Sequence, residues 1–158
     1  MTTPLFKKLN HKEQEIIILQ APPEFKPEME AIKKAGHKLK SICTSDSIQL
    51  KEIGFILSFV QTKGEVKEII TAIEQKLMED AVVWFAYPKG TSKKYNAQIN
   101  RDNGWEALGK KGFDPVRSVA IDADWTGLRF RKNEFIKVMK RNPSLALSEK
   151  GKNRTAKK

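Results

Sequence analysis

The 158-residue sequence is poor in the residues that build metal, redox and disulfide sites. It contains one cysteine, Cys43, and two histidines, His11 and His37. A single cysteine excludes an internal disulfide, and so few ligands so far apart do not predict a metal site. Neither histidine has a nucleophile or acid at a recognisable spacing, so we predict no catalytic residue. Cys43 falls in a predicted strand, where a buried, unreactive thiol is expected.

Long apolar runs and glycine-rich nucleotide motifs are also absent. The apolar run at 81–87 is far too short to span a membrane, and the N-terminus has no apolar signal segment. We therefore expect a cytoplasmic protein with no membrane partner. The predicted first strand is followed by Gln20-Ala21-Pro22-Pro23, where a dinucleotide site needs Gly-x-Gly-x-x-Gly. Because proline has no N–H to donate to a pyrophosphate, we predict no bound cofactor.

Positive charge is abundant and unevenly distributed. The formal net charge is +11, and residues 1–80 contribute none of it, with 12 basic and 12 acidic residues. Residues 129–158 alone contain 11 basic and 2 acidic residues. Such asymmetry suggests a surface for phosphates or for an acidic partner, although a solvated lysine-rich tail would have the same composition.

Apolar patterns predict strands and helices that alternate along the chain. The fold class is predicted to be α/β: a three-layer sandwich with a Rossmann-like, mainly parallel sheet of about five strands, ending in an antiparallel edge hairpin. Residues 1–14 are expected to form a loose N-terminal arm or a short first helix, 15–149 a single domain, and 150–158 a disordered basic tail. The predicted strands cover 15–21, 37–44, 54–60, 82–87, 116–121 and 128–131; the predicted helices cover 27–35 and 63–78, with a short one near 105 and a last one from 133.

One polar loop follows the buried strand at 82–87. Ligands of open α/β sheets bind beyond the carboxyl ends of the strands. A glycine there can turn backbone N–H groups toward an anion, and lysines and hydroxyls would add further donors. We name this segment the basic loop and predict that it binds an anion or another ligand, although the Walker pattern is absent. Its residues are Lys89, Gly90, Thr91, Ser92, Lys93, Lys94 and Tyr95.

Two other groups could contribute chemistry near this loop. Asp122 and Asp124 could bind a cation or act as an acid and a base, but aspartates also favour turns for local reasons, and we predict a turn. Tyr87, Tyr95 and Trp105 could stack on a base, although aromatic residues at such spacings are more often core.

The segment Trp84-Phe85-Ala86-Tyr87-Pro88-Lys89-Gly90-Thr91-Ser92-Lys93 resembles a family of small bacterial α/β proteins of unknown function. Later segments at 100–105, 119–125, 128–132 and 139–144 are similar to the same family. The resemblance covers about residues 15–151 and implies a one-domain bacterial protein, with no catalytic role to carry over.

Three hypotheses follow from the sequence. The first, which we favour, is a non-catalytic binding module that contacts an anionic small molecule or nucleic acid through the basic loop and the C-terminal segment. The alternative is an enzyme on a degenerate nucleotide- or methyl-donor-binding scaffold. The third is a structural subunit of an oligomer with Trp125 and Phe130 on an exposed edge.

Overall fold

The fold is built on one six-stranded sheet with the strand order β2-β1-β3-β4-β6-β5. The computed structural model describes residues 3–43, 50–96, 98–100 and 103–135. The first four strands of that order are parallel, and β6 pairs antiparallel with both β4 and β5. The fold class predicted from the sequence is confirmed. The elements in chain order are α1 (Pro4–Lys8), β1 (Ile16–Leu19), α2 (Lys26–Lys34), β2 (Leu39–Ile42), β3 (Ile53–Phe59), α3 (Lys63–Ile73), β4 (Leu77–Pro88), α4 (Glu106–Lys110), β5 (Phe113–Ala120) and β6 (Trp125–Lys132), with 3-10 turns at Pro23–Phe25, Glu74–Lys76 and Asn133–Phe135.

Two apolar layers cover the two faces of the sheet. Ile16 and Ile18 of β1 pack in the same cluster as Ile32 of α2, and α1 joins this layer. Ile17 and Leu19 point the other way and pack with α3 and α4. Since successive side chains of a strand alternate between faces, the continuous apolar run of β1 is what a strand covered on both sides requires.

Capping residues in the sequence define the start of α3 and the end of α2. The Thr62 hydroxyl accepts from the Glu65 N–H, and the Glu65 carboxylate accepts from the Thr62 N–H, which forms the predicted capping box of α3. Gly36 follows the end of α2 with φ of 98°, a left-handed conformation that glycine adopts without steric cost. These features fix where the chain leaves and re-enters the sheet.

The N-terminal arm is docked and not loose, which corrects one of the predicted alternatives. Its residues 4–8 form α1, capped by the Thr3 hydroxyl. Phe6 and Leu9 are fully buried against the sheet, and the Leu9 carbonyl accepts a hydrogen bond of 2.8 Å from the indole N–H of Trp84. The arm therefore completes one face of the core.

Some predicted elements have different limits or positions. The helix predicted to reach residue 78 ends at Ile73, because Leu77 already pairs with Ile53 as the start of β4. The strand predicted at the edge, β6, lies inside the sheet, and the edge strand is β5. Trp125 and Phe130 are accordingly buried, so they offer no exposed edge for an oligomer.

Cys43 is exposed and not buried as predicted, because it follows the end of the edge strand β2. Asn133–Phe135, where the last helix is predicted to begin, form a 3-10 turn. The remainder of that helix, the basic tail and most of the C-terminal charge lie outside the described residues.

Candidate functional site

The carboxyl ends of β1 and β3 meet at the point where the chain changes direction across the sheet. From β1 the chain crosses by α2 to β2 on one side, and from β3 it crosses by α3 to β4 on the other side. The two crossover helices cover opposite faces, so the loops after these strands are expected to diverge and to leave a crevice between them. Ligands of open α/β sheets bind at such a switch point.

Gln20 spans this crevice. Its backbone is left-handed, with φ of 58°, directly after β1. Its side-chain amide donates to the Phe59 carbonyl at the end of β3 and to the Glu65 carboxylate, each at 3.1 Å. The first of these bonds is partly buried and the second is exposed. A ligand entering between β1 and β3 would have to replace or contact this amide.

Beside the crevice, the Glu24 carboxylate accepts hydrogen bonds from three side chains that lie about 70 to 101 positions later in the sequence. Oε2 accepts from the Tyr95 hydroxyl at 2.6 Å and from the Trp125 indole N–H at 3.0 Å, while Oε1 pairs with the Lys94 ammonium at 3.0 Å. We call these four residues the Glu24 cluster. It joins the β1–α2 connection to the basic loop and to the first residue of β6, and it covers the carboxyl edge of the sheet.

The charges of this cluster are strongly coupled. Burial alone would raise the pKa of Glu24, but the hydrogen bonds from Tyr95, Trp125 and Lys94 outweigh it and lower the pKa to about 2. Burial and the Glu24 carboxylate raise the pKa of Tyr95, and the bond to Glu24 raises the pKa of Lys94. At neutral pH the cluster therefore contains a carboxylate, a neutral phenol and an ammonium.

The two aromatic rings of the Glu24 cluster pack against each other and against Phe59. The Tyr95 and Trp125 rings are 4.8 Å apart between centroids, and Phe59 meets Trp125 edge-on at 5.1 Å. The Lys94 ammonium lies 5.5 Å from the centre of the Tyr95 ring. A carboxylate beside aromatic rings can receive hydroxyls or a cation and can stack on a flat ring.

The basic loop is held by the hairpin turn between β5 and β6. The Lys89 N–H donates to the Asp124 carbonyl at 2.8 Å, and the Ser92 hydroxyl donates to the Asp124 carboxylate at 2.8 Å. The Ser92 oxygen in turn accepts from the N–H groups of Lys94 and Tyr95. These amides have partners within the protein and do not form an open anion nest.

Four residues of the basic loop still have side chains or backbone that solvent can reach. Lys93, Gly90 and Thr91 are exposed and Lys89 is half-buried. Gly90 does not have the left-handed backbone expected of a nest glycine, and a side chain there would meet nothing within 4 Å. Binding of an anion by the lysines of this loop stays a prediction.

The aspartates of the hairpin form the predicted turn. One carboxylate oxygen of Asp122 accepts from the N–H groups of Asp124 and Trp125, each at 2.8 Å. This is a local Asx turn, which fixes the start of β6 and hence the Trp125 indole. Within the described residues, no group of three or more metal-binding side chains occurs.

The predicted aromatic set is divided between the two faces of the sheet. Tyr87 and Trp105 are buried together on the α3 side, with ring centroids 5.6 Å apart. Tyr95 belongs to the Glu24 cluster on the other side. Gln20 and Glu24 were not predicted as site residues. The signal for them was the position of Gln20-Ala21-Pro22-Pro23 at a strand end, directly before Glu24, and that segment served only to predict that no cofactor is bound.

A cavity of about 250 Å³ lies at the opposite, amino edge of the sheet. Its lining includes Leu77, Met78, Val83, Phe113 and Phe135. The chain continues beyond Phe135, outside the described residues. We therefore place the candidate site at the carboxyl edge, where polar groups from distant parts of the chain converge.

No protein-family model matches the chain, and comparison with curated protein sequences gives no match. Solved structures do match. A SAM-dependent methyltransferase from Aquifex aeolicus superposes with a TM-score of 0.60 over 80% of this chain and 87% of its own, at 10% identity. A protein titled as a type 11 methyltransferase from Sulfolobus solfataricus gives 0.56 over 88% and 96%, at 10% identity. A ribosomal-protein methylase from Lactobacillus delbrueckii gives 0.50 over 80% and 74%, at 13% identity.

These similarities define the fold as that of the methyltransferase-like Rossmann proteins. The favoured hypothesis of a non-catalytic binding module is wrong by this comparison, because the matching structures are titled as methyltransferases or as a methylase. The comparison agrees better with the alternative, an enzyme on a degenerate nucleotide- or methyl-donor-binding scaffold, than with the favoured hypothesis. The resemblance to a bacterial family is not tested by these matches and stays a prediction.

In the described part of the chain, no helix has the length and apolar character needed to cross a membrane.

The β1–α2 connection does not fit the usual backbone cradle for a nucleotide-like ligand. Pro22 and Pro23 have no N–H to donate, and the Phe25 N–H donates to the Pro22 carbonyl. The Glu24 carboxylate is already engaged by three donors of the protein. A nucleotide-like ligand bound here would therefore be held by side chains and not by the backbone of a glycine-rich turn.

Proposed function

We propose that this protein is an enzyme of the methyltransferase-like class that binds an adenosyl methyl donor at the carboxyl edge of its sheet. The observation that carries the proposal is the convergence of Gln20, Glu24, Tyr95 and Trp125 at the switch point of this fold. An ionised carboxylate, an amide and neighbouring aromatic rings suit a ligand that has hydroxyls, a positive charge and a flat ring.

The contacts that now close the crevice can be exchanged for ligand contacts. The Gln20–Glu65 bond is exposed, and the Lys94–Glu24 pair has a lysine side chain that is 57% exposed. Exposed pairs of this kind contribute little to stability, because solvent screens them. A ligand that pairs with Glu24 would displace the Lys94 ammonium, while Tyr95 and Trp125 would keep the carboxylate oriented.

The test is calorimetric titration of the full chain with S-adenosylmethionine at neutral pH. We expect wild type to bind and Glu24→Gln to bind about tenfold more weakly, because the substitution removes the charge but keeps the shape. Tyr95→Phe, which removes one donor to Glu24, is expected to have a smaller effect in the same direction.

Glu30→Gln is the matched control, because Glu30 is an exposed carboxylate on α2 outside the cluster. It should bind as wild type does. Absence of heat with wild type at millimolar ligand, or equal affinities for the Glu24 and Glu30 variants, would overturn the proposal.

A further inference from the structure

Two arginines lie directly opposite each other on the β5–β6 hairpin, far in the sheet from β1. Arg117 of β5 is the register partner of Arg129 of β6. Arg129 is also opposite Trp84 of β4, which places its side chain on the sheet face that carries Trp84. Like charges at directly opposed positions destabilise a sheet. We call these two residues the arginine pair.

Arg129 has no acidic partner in the described residues. Its Nε is buried and makes no hydrogen bond there. The carboxylate whose charge acts on it, Asp80, is bound instead by Arg131 through two bonds of 2.8 Å and 2.6 Å. Asp80 thus balances Arg131, and among the residues that the structure describes no other carboxylate pairs with the arginine pair.

The surroundings oppose the positive charge of Arg129. Burial and the neighbouring Arg131 and Arg117 guanidinium groups lower the pKa of Arg129, with Asp80 acting in the other direction. Arginine stays protonated in proteins, so this opposition is a destabilisation of the ion and not a loss of its proton. A buried, unpaired donor beside a like charge is unusual enough to require an explanation.

We propose that the arginine pair binds a phosphate group. Two planar guanidinium groups on adjacent strands can direct several N–H donors at one tetrahedral anion, and the anion would remove the repulsion between them. This site lies on the strand face and contains no residue of the Glu24 cluster or the basic loop, so it is independent of the proposed methyl-donor function. Free phosphate and a phosphate carried by a small metabolite share this chemistry.

The experiment compares thermal unfolding of the full chain in inorganic phosphate, in a sugar phosphomonoester and in chloride at the same ionic strength. A ligand of the native state raises the midpoint by mass action. For wild type we expect a rise in phosphate over chloride, and a larger rise in the phosphomonoester if the site takes a carried phosphate. The matched control is Lys67→Gln, an exposed charge on α3 on the other side of the sheet, and it should respond as wild type does.

Arg117→Gln gives opposite effects in the two conditions. In chloride its midpoint should rise, because the like charge opposite Arg129 is gone, while the response to phosphate should fall with a loss of about tenfold in affinity. Arg117 is exposed, so this variant is expected to fold; Arg129→Gln should lose the phosphate response in the same way. An equal midpoint in phosphate and chloride for wild type, or an unchanged phosphate response in Arg117→Gln, would exclude a phosphate site here.

Discussion

Glu24 is the residue on which the carboxyl edge depends. Its carboxylate is the common acceptor for side chains from the basic loop and from the hairpin turn, which lie about 70 and 101 positions away in sequence. A hydrogen bond to an ionised acceptor is stronger than one between neutral groups, and a carboxylate can accept several at once. The ionised Glu24 carboxylate therefore holds the β1–α2 connection, the basic loop and the start of β6 together.

The stability of the protein should depend on the ionisation of Glu24. The pKa of its carboxyl falls from 4.5 to about 2 on folding, so the stabilisation is complete above about pH 4.5 and is lost as the pH falls toward 2. We expect Glu24→Gln to be less stable than wild type at pH 7 by about 2 kcal/mol, allowing for solvent screening, and the difference to shrink below pH 4.5.

Urea unfolding at several pH values between 7 and 2.5 would measure this difference. The Glu30→Gln variant removes an exposed carboxylate outside the Glu24 cluster and serves as the matched control. A constant gap between Glu24→Gln and wild type down to pH 2.5 would mean that the three donors do not stabilise the ionised carboxylate.

At the scale of elements, the sequence predicted what local physics decides. The apolar runs of β1, β3 and β4 were predictable because a strand covered on both faces must be apolar throughout. The α3 capping box and the glycine after α2 were predictable because a helix end satisfies its own backbone groups with nearby residues.

Features that depend on distant partners were not predictable in this way. The position of β6 inside the sheet follows from its pairing with β4, some 40 residues earlier. The alternation of apolar and polar residues along one strand does not show which strand lies beside it. The Glu24 cluster was missed for the same reason, since its members come from three separate segments. The basic loop was predicted as a site, but the sequence could not show that Ser92 and Asp124 would use its amides.

The N-terminal arm provides the test at this scale. Phe6 packs against Phe55 at 5.9 Å and Phe25 at 6.4 Å between ring centroids, and it is fully buried. Phe6→Ala should therefore lower the free energy of unfolding by about 3 to 5 kcal/mol. Leu5→Ala, on the same short helix but only partly buried, should cost about 1 kcal/mol. Equal stabilities for the two variants in urea unfolding would mean that the arm does not dock in solution.

At the scale of the molecule, one sheet carries two apolar layers and the two sites that we propose. The Glu24 cluster lies at the carboxyl edge, while the arginine pair lies on the hairpin strands. Because β6 pairs with β4 on one side and β5 on the other, it connects the hairpin to the parallel strands. Both proposed sites therefore lie on strands of one continuous sheet.

Shared strands also predict that the two layers unfold together. Trp84 and Trp125 are buried in the layer on the α2 side, and Trp105 is buried in the layer on the α3 side. The variant Trp105→Phe leaves fluorescent reporters in the first layer, and Trp84→Phe combined with Trp125→Phe leaves one in the second. The midpoint of each fluorescence transition in urea should equal the midpoint from far-ultraviolet circular dichroism of the same variant, as two-state unfolding requires.

The comparison is made within each variant because the substitutions themselves change stability. Trp84→Phe removes the hydrogen bond to Leu9, and Trp105→Phe removes the bond from its indole to the Asn100 carbonyl. If the first-layer reporters changed at a lower urea concentration than the circular dichroism, then α1 and α2 would leave the sheet before it unfolds. Coincident transitions would instead show that neither layer is stable without the other. Loss of the helices on one face would expose its apolar side chains to water, and the contacts that remain in the sheet would not offset that free energy.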